Sequence, residues 1–403
     1  MTGSSTTVPM NQTVSPRKPG ASRRIWNDPK FRSVIYQILA IAMVTGGIWY
    51  LVSNTLHNLS ARNIATGFDF LSREAGFAIG ESLISYTPAD TYSTALTVGL
   101  LNTLRAAVIG IVLATILGTI IGIARLSSNW LVSRLSSIYI EVMRNIPLLL
   151  QLFFWYAIIS ESFPGPRQAY NPLPGVFLSN RGLQMPTLEG AGVTWILSGL
   201  FVAIVLTVIL ANWAKRRQER TGQFFGLLKP SILLLVACPV IGWFISGADV
   251  TLNVPELRGF NFRGGMTLTP EFAALLIGLV VYTAAFIAEV VRSGIQSVGK
   301  GQWEASSALG LRRGLILRLI VLPQALRVII PPMTSQYLNL TKNSSLAVAI
   351  GYPDIVSVVN TTLNQTGQAI EGIMIIMAAY LTVSLSISVF MNWYNKRIAL
   401  VER

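Results

Sequence analysis

Long stretches without a charged residue are the feature that most limits what this chain of 403 residues can fold into. About 20 consecutive apolar residues span the hydrocarbon core of a bilayer, and such a segment must be helical because lipid offers backbone N–H and C=O groups no partners. We therefore expect an all-α integral membrane protein of about eight transmembrane helices. The uncharged stretches cover 33–61, 106–124, 145–160, 190–214, 230–248, 272–288, 328–341 and 372–395. The predicted helices are 34–53, 97–124, 137–160, 193–213, 231–248, 270–291, 328–350 and 370–392.

Two of these helices are less regular than the others. Segment 231–248 is short, and Pro331-Pro332 is expected to break 328–350, because proline removes a backbone donor and clashes with the preceding turn. The composition agrees with a membrane protein: 52% of residues are hydrophobic and 12% are charged, against about 25% charged in soluble domains. It excludes a soluble enzyme. The sequence has one Cys and one His, too few for a metal site built from those ligands.

The basic residues are distributed unevenly among the loops. With the N-terminus placed inside, 23 of the 31 Lys and Arg lie on the inner side, six lie in outer loops, and Arg105 and Lys342 lie within spans. This asymmetry follows the positive-inside rule and places both termini in the cytoplasm. Residues 1–33 are then a disordered basic tail, 54–94 a periplasmic loop and 393–403 a second cytoplasmic tail. We exclude a nucleic-acid binder, because the basic residues are divided among short loops.

The longest basic segment between predicted spans, 292–327, contains a short run of small and apolar residues around one acid. A glycine closes the run, as at a helix C-terminus. Such a helix needs a partner to cover it. It could lie on lipid, but its small side chains favour a groove on another protein. The run is Gln302-Trp303-Glu304-Ala305-Ser306-Ser307-Ala308-Leu309-Gly310-Leu311.

The same segment resembles a known family. Glu304-Ala305-Ser306, Gly310 and Ile320-Val321-Leu322-Pro323 have the spacing E-A-A-x3-G-x9-I-x-L-P, the signature loop of the membrane subunits of ABC importers. Ser306 replaces the second alanine, a small change that should still fit a groove. The resemblance covers roughly 95–392, with two helices inserted at 193–248. It is to the polar amino-acid branch (histidine, glutamine and arginine permeases), and most of all to bacterial general L-amino-acid importers.

The resemblance implies a type I ABC importer permease core at 95–392, in the bacterial inner membrane. It implies an ABC ATPase dimer, a second and similar permease, and a periplasmic amino-acid-binding protein as partners. The residues expected to couple to the ATPase are Trp303, Glu304, Ala305, Ser306, Leu309 and Gly310. This chain would hold no cofactor and would not be an enzyme, since ATP and Mg bind the ATPase. The P-loop-like run from Gly294 to Gly301 lacks the final Ser or Thr and a preceding strand.

Charges at membrane depth are further candidates, because each costs about 2.5–3.5 kcal/mol to insert. Arg105 could contact a substrate carboxylate or gate; alternatively it reaches the headgroups or pairs with an acid. Glu141 and Arg144, and Glu289 and Arg292, are three residues apart near the inner ends of their helices, where each couple could form an ion pair.

Beyond the proline pair lies a polar run at membrane depth. Such a run lines a cavity or is buried in protein. Its candidate pathway-lining residues are Gln336, Asn339, Lys342, Asn343 and Ser345. An ion-coupled secondary carrier is the alternative function. It predicts paired acids inside several spans, whereas the acids near spans lie at their ends.

Overall fold

The computed structural model describes residues 29–61 and 66–398. The expected disordered tail, 1–33, lies outside the described residues as far as residue 28, and residues 29–33 belong to a helix. The final tail, 393–403, is helical to residue 398 and otherwise lies outside them. The helices are α1 (Pro29–Ala61), α2 (Tyr92–Arg125), α3 (Trp130–Asn145), α4 (Leu148–Ala157), α5 (Ala191–Thr221), α6 (Leu228–Ser246), α7 (Pro270–Gln296), α8 (Lys300–Ala308), α9 (Arg313–Ile316), α10 (Leu322–Asn343), α11 (Ile355–Thr366) and α12 (Ala369–Ile398).

Among the described residues, seven helices are long and apolar enough to cross a membrane, and a bent helix pair provides an eighth crossing if it is one span. The mostly helical membrane fold with about eight spans is thus confirmed. Helix α1 belongs to one unit, ending at Thr66, and is an apolar helix with uncovered side chains along its length. The remaining helices form the second unit, which begins at Gly67.

The prediction of one continuous helix over 137–160 is wrong. Helices α3 and α4 meet at an angle of 103°. Ile146 is extended, because the ring of Pro147 disfavours the helical conformation of the residue before it. The Gln151 side chain donates to the carbonyls of Met143 and Ile146, each at 3.0 Å, and so replaces partners that the break removes.

The predicted break at Pro331-Pro332 is also wrong. Helix α10 continues through both prolines to Asn343, and with the turns around it forms a span from Gly314 to Ile350. It therefore starts 14 residues before the predicted 328. The buried side chains of Ile329, Ile330 and Met333 on either side of the prolines pack into one core cluster with α2, α7 and α12. This packing keeps the helix continuous despite the missing donors.

The segments between predicted helices at 161–192 and 249–269 contain short strands. Strands β1 to β3 and β8 form an antiparallel sheet in the order β1-β2-β3-β8, so the sheet joins the two segments. Two further antiparallel pairs join β4 to β5, across α5 and α6, and β6 to β7. The strands are β1 (Tyr170–Leu173), β2 (Val176–Ser179), β3 (Gly182–Met185), β4 (Thr187–Glu189), β5 (Thr251–Asn253), β6 (Glu256–Arg258), β7 (Asn261–Arg263) and β8 (Met266–Leu268).

Close packing of α2 on α7 builds the centre of the second unit. A Cβ added at Gly118 would lie 2.7 Å from Ile287, and one at Gly122 would lie 2.6 Å from the Ala288 carbonyl oxygen. The G-x-x-x-G pair therefore lets two helices of the same chain approach each other. Helix α7 begins beside β8 and ends at α8. We call these two ends of the bundle the strand end and the α8 end.

Candidate functional site

Helix α8 is held against the bundle by one face only. Trp303 packs on the core cluster of α2, α7 and α10, and Ser306 is buried, whereas Glu304 and Ala305 are exposed. Leu309, just past the helix, leaves 78% of its surface uncovered. Helix α8 is therefore fixed from behind, and Glu304, Ala305 and Leu309 lie on its uncovered side.

Gly310 ends this helix as predicted from the sequence. Its φ of +72° is a left-handed conformation that favours glycine, and its N–H donates to the Ser307 carbonyl at 2.9 Å. The chain can then turn, so that the next residue, Leu311, packs back on the core while Leu309 stays outside. The cap thus fixes which side of α8 remains free.

The structure places Ser306 differently from its predicted neighbours. Its side chain faces the bundle and its hydroxyl donates to the Gln302 carbonyl. A buried hydroxyl with a partner costs little, so serine fits where the family pattern has alanine. Ser306 therefore supports α8 from behind, and Glu304, Ala305 and Leu309 form its free surface.

A cluster of charges closes the bundle at the α8 end. Glu289 on α7 accepts from Arg292 on the next turn and from Arg125 on α2, so the structure brings Glu289 and Arg292 together. Glu141 and Arg144 are not brought together in an ion pair among the described residues. The Arg144 guanidinium lies over the Phe286 ring instead, 5.1 Å from its centre.

One face of α10 is polar and uncovered. Ser335, Asn339 and Lys342 are exposed and follow one another at helical spacing, while Gln336 and Asn343 are half-buried beside them. The Ser345 hydroxyl donates to the Lys342 carbonyl at 2.7 Å. None of the salt bridges among the described residues includes Lys342. The predicted pathway residues thus form a stripe that this chain alone leaves open.

Arg105 does not belong to that stripe. Its guanidinium pairs with Glu81 and lies over the Phe272 ring, 4.1 Å from its centre. The other carboxylate oxygen of Glu81 accepts from the Thr269 hydroxyl at 2.7 Å. Arg105 therefore ties three segments at the strand end: α2, the start of α7 and the segment before α2.

Beside this ion pair lies a polar cavity of about 770 Å³. It opens at the strand end, and Glu271 at its wall accepts from the Tyr156 hydroxyl at 3.3 Å. Its polar lining comes from the segment before α2, from the end of α4 and the turn after it, from the short strands and the turn between β2 and β3, from the start of α7 and from α11. The polar residues are Glu81, Tyr156, Ser160, Asn180, Arg181, Gln184, Asn261, Thr267, Thr269, Glu271, Ser357 and Thr361.

Sequence reasoning missed Glu81 as the partner of Arg105 and Arg125 as a partner of Glu289. Each lies far from its partner along the chain, by 24 residues for Glu81 and Arg105 and by 164 for Arg125 and Glu289. No local spacing links such residues. The one available signal was charge balance, because a cation at membrane depth requires a partner.

Comparison with known proteins agrees with this architecture. The chain is 52% identical, over 93% of its length and 96% of the relative's, to YhdX of Escherichia coli, which carries the provisional name of an amino-acid ABC transporter permease. It is 50% identical, over 93% and 94%, to the general L-amino acid transport system permease protein AapQ of Rhizobium johnstonii. It is 42% identical, over 93% and 96%, to the glutamate/glutamine/aspartate/asparagine transport system permease protein BztB of Rhodobacter capsulatus.

A family match covers most of the bundle, from α2 to the end of α12. Residues 110–400 match the family described as the binding-protein-dependent transport system inner membrane component. The matched range includes α8, the charge cluster at the α8 end and the polar stripe of α10. With this match and the relatives above, the chain belongs to the family of inner membrane components of binding-protein-dependent transport systems.

Proposed function

We propose that this chain is a permease subunit of an ATP-driven importer of L-amino acids, and that α8 couples it to a separate ATPase. The observation that carries this proposal is the two-sided environment of α8. Trp303 and Ser306 fix it to the bundle, and Glu304, Ala305 and Leu309 remain free. If a partner displaces a helix held in this way, the displacement is passed to the membrane helices behind it.

Few contacts separate α8 from the membrane helices. Trp303 packs on the cluster formed by α2, α7 and α10, and Gln302 accepts from the Gln324 amide at 3.5 Å near the start of α10. Movement of α8 would therefore reach α10 directly. Rigid-body motion of packed helices is a common way to switch a membrane protein between two states.

The polar stripe of α10 supports a pathway along this helix. An uncovered polar face is unfavourable against lipid, so it faces water or another subunit. A similar second permease packed across it would enclose a polar channel, with Lys342 available for a substrate carboxylate. The polar cavity at the strand end, with Glu271 in its wall, would be the mouth that receives an amino acid from a binding protein.

The substrate class and the partners rest on the relatives and on chemistry. The relatives AapQ and BztB are named as transport system permeases for amino acids. ATP and Mg would bind the ATPase dimer. We place both termini in the cytoplasm, with the α8 end inside, because most Lys and Arg then lie on the inner side.

The experiment is uptake into proteoliposomes that contain the full complex, with the binding protein and a labelled L-amino acid, measured together with ATP hydrolysis. Glu304→Lys should abolish ATPase association or uncouple hydrolysis from uptake. Glu219→Lys is the matched control, because Glu219 is also an exposed acid but lies on α5. Normal coupled uptake by Glu304→Lys would refute the coupling role of α8.

A further inference from the structure

The inserted hairpin of α5 and α6 packs mainly on itself. A Cβ at Gly199 would lie 2.5 Å from the Cys238 carbonyl oxygen, and one at Gly242 would lie 2.6 Å from that of Trp195, so the two helices are in close contact. Only 6% and 0% of their most apolar segments are buried, against 61% for α7. Their outward faces are apolar and uncovered, so these faces are suited to contact with lipid chains.

The turn that joins the two helices has a defined shape. The rings of Trp213 and Phe225 meet edge to face at 5.4 Å, and the Arg217 guanidinium lies 5.4 Å and 5.9 Å from their centres. Arg217 also donates to the Gln223 side-chain oxygen at 3.2 Å. Gly222 closes α5 with a φ of +69°. The turn is folded back on α5, which fixes the positions of the charges around it.

This turn is strongly basic and its charges are unpaired. Segment 215–229 carries five cations and one acid, Glu219. No salt bridge between described residues involves any of them. By contrast, Arg125 and Arg292 at the α8 end are both paired with Glu289. The five cations are Lys215, Arg216, Arg217, Arg220 and Lys229.

The charges follow directly on the lipid-facing surface. The uncharged stretch 190–214 ends one residue before Lys215. Phe224 in the turn leaves 81% of its surface uncovered, and Trp213 is exposed. Aromatic residues of this kind are enriched at the level of the lipid headgroups. The cations therefore lie at the height where phosphodiester groups are found.

We propose that this turn is a binding site for anionic phospholipids. Arg216 and Arg220, one helical turn apart, and Lys229 would bind the phosphodiester headgroup, while the acyl chains lie along the uncovered faces of α5 and α6. Each basic residue near an anionic membrane surface favours binding by about fivefold. Orientation of the hairpin requires only an excess of charge, whereas a folded turn with unpaired cations selects among headgroups. The bound lipids would then hold the turn of the hairpin at one face of the bilayer.

The test uses the full chain in nanodiscs that contain phosphatidylcholine and a minor amount of phosphatidylglycerol. Electron paramagnetic resonance of spin-labelled lipids gives the preference for phosphatidylglycerol over phosphatidylcholine. In the triple variant Arg216→Gln/Arg220→Gln/Lys229→Gln this preference should fall at least tenfold. The matched control, Lys300→Gln/Arg312→Gln/Lys396→Gln, removes three cations elsewhere and should retain it. An equal loss in both variants, or none in the first, overturns the proposal.

Two further measurements keep the result interpretable. Arg216→Lys/Arg220→Lys preserves the charge, so it should keep the preference even if neutral variants alter the orientation of the hairpin. Added inorganic phosphate at constant ionic strength should not compete, and competition would indicate a soluble anion instead. Loss of ATPase co-purification in the triple variant, with lipid preference intact, would show that the surface binds protein and would also overturn the proposal.

Discussion

Arg105 of α2 and Glu81, which precedes it by 24 residues, form an ion pair with side chains that are only 13% and 8% exposed. Arg105→Met would leave the Glu81 carboxylate buried without its cation. Loss of one partner of a buried pair costs about 3–5 kcal/mol. We therefore expect a marked fall in melting temperature of the purified protein in detergent. Glu81→Gln/Arg105→Met, which removes both charges, should recover part of the loss.

Variants of this pair distinguish a structural role of Arg105 from a role in substrate binding. If Arg105 bound the substrate carboxylate, the double variant would regain stability but not uptake. Because the guanidinium is occupied by Glu81 and Phe272, we expect uptake to recover together with stability. Uptake measured per folded complex tests this. Recovery of stability without recovery of uptake would indicate that Arg105 contacts the substrate in the pathway.

Gln151→Leu should destabilise the bend between α3 and α4. Its amide donates to two carbonyls at the break, and leaving them without that donor costs about 1–3 kcal/mol each. The thermal unfolding midpoint should fall, while Phe154→Leu, a change on the uncovered side of α4, should leave it nearly unchanged. Equal midpoints for both variants would contradict a supporting role for Gln151.

Gly122→Ala should disturb the α2–α7 contact. The added methyl would lie 2.6 Å from a backbone oxygen and 2.9 Å from the Val291 side chain, so the helices must separate. Overpacking of this kind costs about 1–3 kcal/mol. Gly314→Ala is the control, because nothing lies within 4 Å of its added Cβ. Melting temperatures of the two variants should differ clearly, with Gly122→Ala lower.

Asp354 predicts a dependence of stability on pH. It caps α11 through Ser357 at 2.8 Å, and burial raises its pKa from 3.8 to about 7. Between these values the unfolded chain loses the proton and the folded chain keeps it, so stability falls as pH rises from about 4 to about 7 and then levels off. In Asp354→Asn, which keeps a capping oxygen, this fall should be smaller when unfolding is followed across that range. An identical profile would exclude Asp354 as its source.

Much of the fold could be predicted from the sequence, because burial in lipid imposes long apolar helices. Helices α2, α6 and α7 begin and end within five residues of their predicted bounds. The family match also agrees with the ABC importer resemblance read at Glu304 and Gly310, and it sets aside the ion-coupled carrier. These predictions depend on local pattern alone.

The errors have a common physical origin. The helix is broken at Pro147 but continues through Pro331-Pro332, because tertiary packing decides whether a helix tolerates its prolines. The strands at 170–189 and 251–268 pair across the inserted hairpin, which no local pattern reveals. The partners of Arg105 and Glu289 are distant in sequence for the same reason. The pathway role of Gln336, Asn339 and Lys342 stays a prediction, since one chain leaves that face open.

Helix α8 is proposed to transmit the action of an ATPase to the membrane helices. The most direct measurement is the ratio of amino-acid uptake to ATP hydrolysis in proteoliposomes that contain the complete complex. We expect Leu309→Ala and Glu304→Lys to lower this ratio severalfold, because the first removes the large apolar side chain of the free surface of α8 and the second reverses its charge. Ser307→Ala is the control, because it removes only one hydroxyl from an exposed position of α8 and should leave the ratio unchanged. An unchanged ratio in Leu309→Ala and Glu304→Lys would show that α8 does not couple ATP hydrolysis to amino-acid uptake.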